Sequence, residues 1–244
     1  MTNPYYSPGA ERAAKVRELF DSIAKRYDLI NDLQCFGFHR LWKRRLVNMA
    51  NGKPGQRALD ICCGTGDITL QLAARGLNVV GVDFSQPMLD IARIRLNQCH
   101  SARPETGSQV EYINADAQSL PFPDSSFDVV TVGYGLRNLA SWQEGLREMC
   151  RVARPGATIL VLDFAKPANP LWRAVYYGYL RLFVPILGWI FCGNSKSYSY
   201  ILESLLHYPA QEGLAREMQA LGLKEVETSN ILGGVMSISR GRKP

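Results

Sequence analysis

Beyond residue 50 the apolar positions gather into short solid runs at 58–62, 78–82, 110–113, 128–132 and 158–163. Segments at 67–75, 86–97 and 141–153 instead space their apolar residues every three or four positions, the period of helices. A strand that is apolar throughout is covered on both faces. The alternation therefore predicts a doubly wound α/β domain with a mostly parallel sheet. Ahead of it, Val16, Leu19, Phe20, Ile23 and Tyr27 predict a helix across 11–31, and "FHRLWKRRLVNMA" predicts a second before "NGKPGQ" punctuates the chain. Residues 171–220 read as a mainly helical insertion, after which "KEVETSN" and "GGVMSISRG" predict a closing antiparallel strand pair. The expected division is a helical lid at 1–50 and the α/β domain at 51–244.

The chain has 244 residues, enough for one large domain that needs no disulfide or metal staple. Its net charge of +6 is concentrated: residues 11–57 hold eleven Lys or Arg against five acids. Such a cluster suits nucleic acid, an anionic membrane face or simply a solvated helix surface. A basic RNA-binding protein is thus one alternative, with "RLWKRR" as its core. The aromatics fall in apolar stretches instead of alternating with that run, so nucleic acid is not the expected partner. Six cysteines (Cys35, Cys62, Cys63, Cys99, Cys150, Cys192) form no C-x-x-C pair, and no metal site is expected. No apolar segment follows a basic start at the N-terminus, which favours cytoplasmic residence.

The chemistry gathers at "LDICCGTGD", the end of the first strand and the turn after it. Gly64 and Gly66 allow close approach of a ligand to the backbone. Thr69 stands where a dinucleotide fingerprint needs its third glycine, and the phosphate-cradling G-x-x-x-x-G-K-[ST] is absent. The turn is therefore suited to a nucleoside without phosphates. Asp83 ends the second strand, 17 residues beyond Gly66, where an acid accepts hydrogen bonds from ribose hydroxyls. Asp116 or the amide of Ala117, after the third strand, would meet an adenine edge.

This constellation resembles the class I S-adenosylmethionine-dependent methyltransferases, whose fold is Rossmann-like. The resemblance implies S-adenosyl-L-methionine as cofactor, held by Asp60, Gly64, Thr65, Gly66, Asp83, Phe84, Asp116, Ala117 and Gly133, with Asp60 facing the sulfonium and amino end. Cys62 departs from the glycine common there, which predicts a slightly wider turn. A soluble-acceptor or arsenic-type methyltransferase of the same fold is a rival. The two cysteines of the turn are committed to the cofactor, which counts against arsenic chemistry.

Further motifs narrow the class. Tyr27-Asp28-x-x-Asn31, Phe36-Gly37-x-His39-Arg40-x-Trp42-Lys43, Gly135-Leu136-Arg137-Asn138, "LPFPDSSFD" and "LDFAKP" resemble the MenG/UbiE family of quinone-biosynthesis C-methyltransferases over nearly the whole chain. That resemblance implies methylation of a ring carbon of a prenylated quinol. Demethylmenaquinol is favoured, with demethylphylloquinol or a ubiquinone precursor as alternatives. Such chemistry asks for a phenolate stabiliser and a base. Arg137 suits the first role, and Asn138 could orient a water or the ring. His39, Tyr27 and Asp28, in the helical lid, are the candidate bases, although each also has a purely structural reading. Residues 171–193 are interrupted by Arg173, Arg181 and Pro185 and read as an interfacial flap for the isoprenoid tail, not a span. Peripheral contact with the inner face of the membrane follows as an expectation, and a homodimer is left open.

Overall fold

The computed structural model describes residues 10–102, 107–186 and 196–244. Helices α1 (Ala10–Ile23), α2 (Tyr27–Gln34) and α3 (Phe38–Ala50) lead into β1 (Arg57–Ile61), α4 (Asp67–Ala73), β2 (Asn78–Asp83), α5 (Gln86–Ala102) and β3 (Val110–Asn114). There follow β4 (Phe127–Gly133), α6 (Trp142–Val152), β5 (Ala153–Phe164), α7 (Pro170–Gly178), α8 (Lys196–His207), α9 (Ala210–Ala220), β6 (Lys224–Ile231) and β7 (Met236–Arg242). The strands form one sheet in the order β3-β2-β1-β4-β5-β7-β6, parallel except that β7 runs against both neighbours.

Side chains alternate along each strand, so the two faces bury different sets. Leu59, Ile61, Val130, Val132, Ile159 and Val161 meet Leu146 and Met149 of α6 and Leu214 and Met218 of α9. Ala58, Val79, Val129, Leu160 and Leu162 meet α3 and α4 through Trp42, Leu46, Ile68 and Leu72. Each fully buried Val, Leu, Ile or Met side chain among these contributes about 1.5–3 kcal/mol. After β1 the chain builds β2 and β3 on one side, then crosses to β4 on the other. A crevice opens where that direction reverses, at the carboxyl ends of the strands.

Two features differ from the pattern-based expectation. The helix expected across 11–31 is broken by a 3-10 turn at Ala24–Arg26. Val16 and Leu19 of α1 pack with Phe84, whereas Ile30 of α2 packs with Tyr176, Leu180 and Leu205. One straight helix could not serve both surfaces. In addition, α3 is part of the cover of the sheet, so the described helices over the crevice are α1 and α2. Of the apolar stretch at 171–193, α7 and a π-helical turn (Tyr179–Phe183) are seen, and residues 187–193 lie outside the described residues. Among the described residues no helix is long and apolar enough to cross a membrane.

Candidate active site

The loops leaving β1 to β4 converge on the crevice. Asp83, at the tip of β2, accepts the Gly64 amide at 2.8 Å and the Ser85 amide at 2.9 Å. Burial nevertheless dominates and raises its carboxyl to about 6. Beyond β3, Asp116 accepts the Gln118 amide at 2.9 Å. Asp83, Phe84, Asp116, Ala117 and Asn138 line a cleft of about 380 Å³, with Arg17 and Glu18 of α1 across it. The Arg17 guanidinium lies 5.5 Å from the Phe84 ring centre, so α1 closes over the cleft.

Asp60 does not face this cleft, contrary to expectation. The β1–β4 register pairs it with Thr131, and alternation turns it toward α4. Its oxygens accept Thr131 Oγ1 at 2.9 Å and Thr69 Oγ1 at 2.7 Å, and burial raises its carboxyl to about 6. Asp60 therefore ties α4 to the sheet beneath the turn. Cys62, the residue expected to widen the turn, takes a left-handed backbone conformation there. Its φ is 52°, which costs a side-chain-bearing residue roughly 1–2 kcal/mol. Gly135 makes room for it: a Cβ there would fall 2.3 Å from that of Cys62. Gly66, at φ 84°, faces Tyr112 and Ala92, so it packs the turn onto β3 and α5. Burial pushes the Cys62 and Cys63 thiols up, keeping both neutral.

The cleft continues past Gly64, Gly133, Gly135 and Tyr134, and a narrow arm reaches Thr65 and Lys43. Lys43 is buried, with Nζ 2.7 Å from Asp67 Oδ2; Asp67 also pairs with Arg95. The two cations outweigh burial and hold the Asp67 carboxyl at about 2. Asp28 accepts the Thr65 hydroxyl at 2.9 Å and Arg95 Nη1 at 3.0 Å. The arrangement makes Asp28 a link between α2, the glycine turn and α5.

On the far side of Tyr134 lies a smaller chamber of about 60 Å³ walled by Tyr27, Asn31, Gln34, His39, Tyr134 and Arg137. Arg137 donates to Asp163 at 2.6 Å and to the Tyr134 carbonyl at 2.7 Å, and stacks 4.5 Å over Phe164. Asn138 donates to the same carbonyl at 3.0 Å but faces the larger cleft. His39 has Nε2 2.8 Å from Asp32 Oδ1. Gln34 Nε2, His39 Nδ1 and the Tyr134 hydroxyl are buried with no protein hydrogen-bond partner. Such atoms cost roughly 1–3 kcal/mol each when left unsatisfied, so the chamber favours a polar occupant, water or ligand.

Gln34, Cys35, Phe164 and Ile201 also border an apolar groove of about 280 Å³, which continues along Phe38, Trp42, Trp172, Tyr176, Leu232 and Met236. Cleft, chamber and groove form one row. Of the residues singled out in the sequence, Tyr27, His39 and Arg137 meet in the chamber, while Asp28 and Asp60 stand outside it. Lys43, Tyr134, Asp32 and Asn31 escaped residue-level reading, because only Lys43 and Asn31 lie in a recognisable motif and nothing in the sequence shows where they point.

A parallel sheet with this strand order and a single antiparallel strand, carrying at its switch point a nucleoside-sized cleft with carboxylates and no phosphate cradle, defines a class I S-adenosylmethionine-dependent methyltransferase. A sequence model of the ubiE/COQ5 methyltransferase family matches residues 9–243, and the chain belongs to that family. It is similar to a demethylmenaquinone methyltransferase from Desulfitobacterium hafniense (strain Y51), 41% identical over 97% of this chain and 92% of the relative. It is also similar to a ubiquinone/menaquinone biosynthesis C-methyltransferase UbiE from Ectopseudomonas mendocina (strain ymp), 42% identical over 97% and 92%. In fold it is similar to the crystal structure of an S-adenosylmethionine-dependent methyltransferase from Aquifex aeolicus, with a TM-score of 0.62, 15% identity, and coverage of 92% of this chain and 98% of that one.

Proposed function

We propose that this enzyme methylates a ring carbon of a prenylated quinol in quinone biosynthesis, with demethylmenaquinol, converted to menaquinol, as the first substrate to test. One observation carries the reading: a chamber lined by buried polar atoms without a protein partner shares the wall residues Gln34, Cys35, Phe164 and Ile201 with an apolar groove. That sequence of environments matches a molecule with a hydroxylated ring and an oily tail. The names of the relatives, one menaquinone-specific and one shared with ubiquinone, support the class and leave both rings in play.

The larger cleft suits S-adenosylmethionine, with Asp83 for the ribose hydroxyls, Asp116 and Ala117 for the adenine edge, Phe84 against its face, and Gly64, Thr65 and Gly133 along the amino-acid end. Lys43 lines the arm of the cleft that would take the carboxylate of that end. The bound cofactor supplies an electrophilic methyl group. The protein's own contribution is to hold the ring carbon in line and to stabilise charge on the phenolic oxygen, for which Arg137 is placed in the chamber wall. Assay of the purified chain with labelled S-adenosylmethionine against demethylmenaquinol, demethylphylloquinol and a demethylated ubiquinone precursor tests the reading. Methylation of none of them removes it.

The Asp83 carboxyl titrates near 6 because burial disfavours its charge, and ribose hydroxyls need the charged acceptor. Below that pH a proton competes with the cofactor. Affinity for S-adenosylmethionine should therefore be steady above pH 7 and fall by about tenfold per pH unit well below 6. Calorimetry across pH 5–8 measures this. A flat profile in the parent chain would remove Asp83 from the ribose site.

Near the mouth of the groove Phe36 is 70% exposed, Leu171 75% and Leu182 69%, with exposed Arg173 and Arg181 on the same helical stretch as the two leucines. Apolar side chains flanked by cations suit an anionic bilayer, from which a prenylated quinol would be drawn. The chain should pellet with phosphatidylglycerol vesicles at low salt, and the F36S/L171S/L182S variant should stay in the supernatant while still binding cofactor. Equal pelleting of the two would place the contact elsewhere.

A further inference from the structure

We propose that His39 is the general base of the methyl transfer and that Asp32 positions it, a role that rests on the reading above of a phenolic ring in the chamber. His39 comes from the first turn of α3 and is only 2% exposed, with Nε2 2.8 Å from Asp32 Oδ1. Asp32 is itself held by Arg40, through Nε at 2.9 Å and Nη2 at 2.6 Å. The Arg40 hydrogen bonds keep its carboxyl at about 2, so it is ionised and can only accept. The proton must then sit on Nε2, which leaves the lone pair of the neutral ring on Nδ1. Nδ1 is the buried atom without a protein partner, and His39 stands in the chamber wall with Arg137 and Tyr27.

The surrounding groups leave His39 as the proton acceptor. Arg40 and Lys43 share its helix, Asp32 faces it from α2 and Asp67 from α4; Tyr27, Cys35, Tyr134 and Arg137 complete the chamber. Burial raises both phenols and the thiol, so they remain protonated at neutral pH. Lys43 is paired with Asp67, and Arg137 with Asp163. Burial lowers His39 from its usual range despite the bond from Asp32, which keeps the ring neutral and able to take a proton at neutral pH.

The step balances as follows. Nδ1 takes the proton of the ring hydroxyl, and the O–H electron pair is delocalised onto the ring carbon. That carbon forms the new bond to the methyl group, while the pair of the breaking methyl–sulfur bond stays on sulfur. The ionised Asp32 stabilises the imidazolium. The ring carbon then loses its hydrogen to water as the oxygen recovers its proton from Nδ1. One proton is released per methyl transferred, and His39 ends neutral.

The test joins kinetics to a spectroscopic readout on the full chain. His39→Gln should lower kcat by about 10²–10⁴-fold, with S-adenosylmethionine affinity kept. In the parent, kcat should fall as pH drops below the usual histidine range. Asp32→Asn should lower kcat and move that limb to lower pH, because the imidazolium loses its counter-charge. Nitrogen-15 NMR of the parent at pH 7 should show a neutral His39 protonated on Nε2, a result that does not depend on the folding of any variant. A parent that methylates a quinol no faster than His39→Gln overturns the role alone, as does an Nδ1–H or charged His39. A parent that methylates no quinol overturns the substrate reading and this role together.

Discussion

Arg137→Ala is expected to lower kcat by about 10²–10³-fold, the loss that follows removal of one oxyanion partner, with little change in S-adenosylmethionine affinity. The same substitution should also cost about 3–5 kcal/mol of stability, because it leaves Asp163 as an uncompensated charge. Both members of the pair are almost wholly buried, and the guanidinium stacks on Phe164. Catalysis and folding are therefore entangled at this position. Arg137→Met combined with Asp163→Asn separates them. The asparagine can still accept the Phe164 amide, which donates to Asp163 at 2.8 Å. Urea unfolding of the double variant should return most of the way to the parent, while its turnover stays as low as that of Arg137→Ala. A double variant as active as the parent would show that Arg137 only holds the fold, and parallel losses of turnover and cofactor affinity would move it to the cofactor cleft.

Gly66→Ala should be the most damaging single change in the glycine turn. At φ 84° an alanine is strained by roughly 1–2 kcal/mol. Its Cβ would also fall 2.3 Å from the Tyr112 hydroxyl and 3.2 Å from the Ala92 Cβ, and overpacking adds about 1–3 kcal/mol. Cofactor binding should fall with stability, since the turn that bears Gly64 would be displaced. Adding Tyr112→Phe removes the oxygen in the way and should recover part of the loss, leaving the strain. Calorimetry and urea unfolding read both quantities. Unfolding of Gly66→Ala at the parent's urea midpoint would contradict the close packing that accounts for this glycine.

The sheet was readable because its strands are apolar on both faces. The runs expected at 58–62, 78–82, 110–113, 128–132 and 158–163 overlie β1 to β5 within a few residues, and the closing pair is β6 and β7. The largest shift is at β5, which begins at Ala153, well ahead of its apolar run. Helix α3 coincides with the motif-bearing segment expected for it, whereas the preceding segment reads as one continuous helix and is two. An amphipathic stripe records that a helix is buried on one side. It does not record that its two halves are buried against different partners.

The candidate site divides along the same line. Glycines and acids at strand ends can be found from spacing, because a strand ends where its apolar run ends and a parallel sheet brings those ends together. The direction of each side chain is another matter. Asp60 and Asp83 look alike in the sequence, yet one anchors Thr69 and Thr131 beneath α4 while the other lines the cleft. Asp28 and His39 read alike in the sequence as candidates for one task, yet Arg95 and Thr65 hold the first and Asp32 the second. Residue order carries local periodicity and turn chemistry, which set the layers and the cofactor class. Which carboxylates are paired, and which polar atoms are left facing a chamber, depends on contacts between α2, α3, α4 and α5, several of them between residues tens of positions apart in the chain, and only their packing against one sheet settles them.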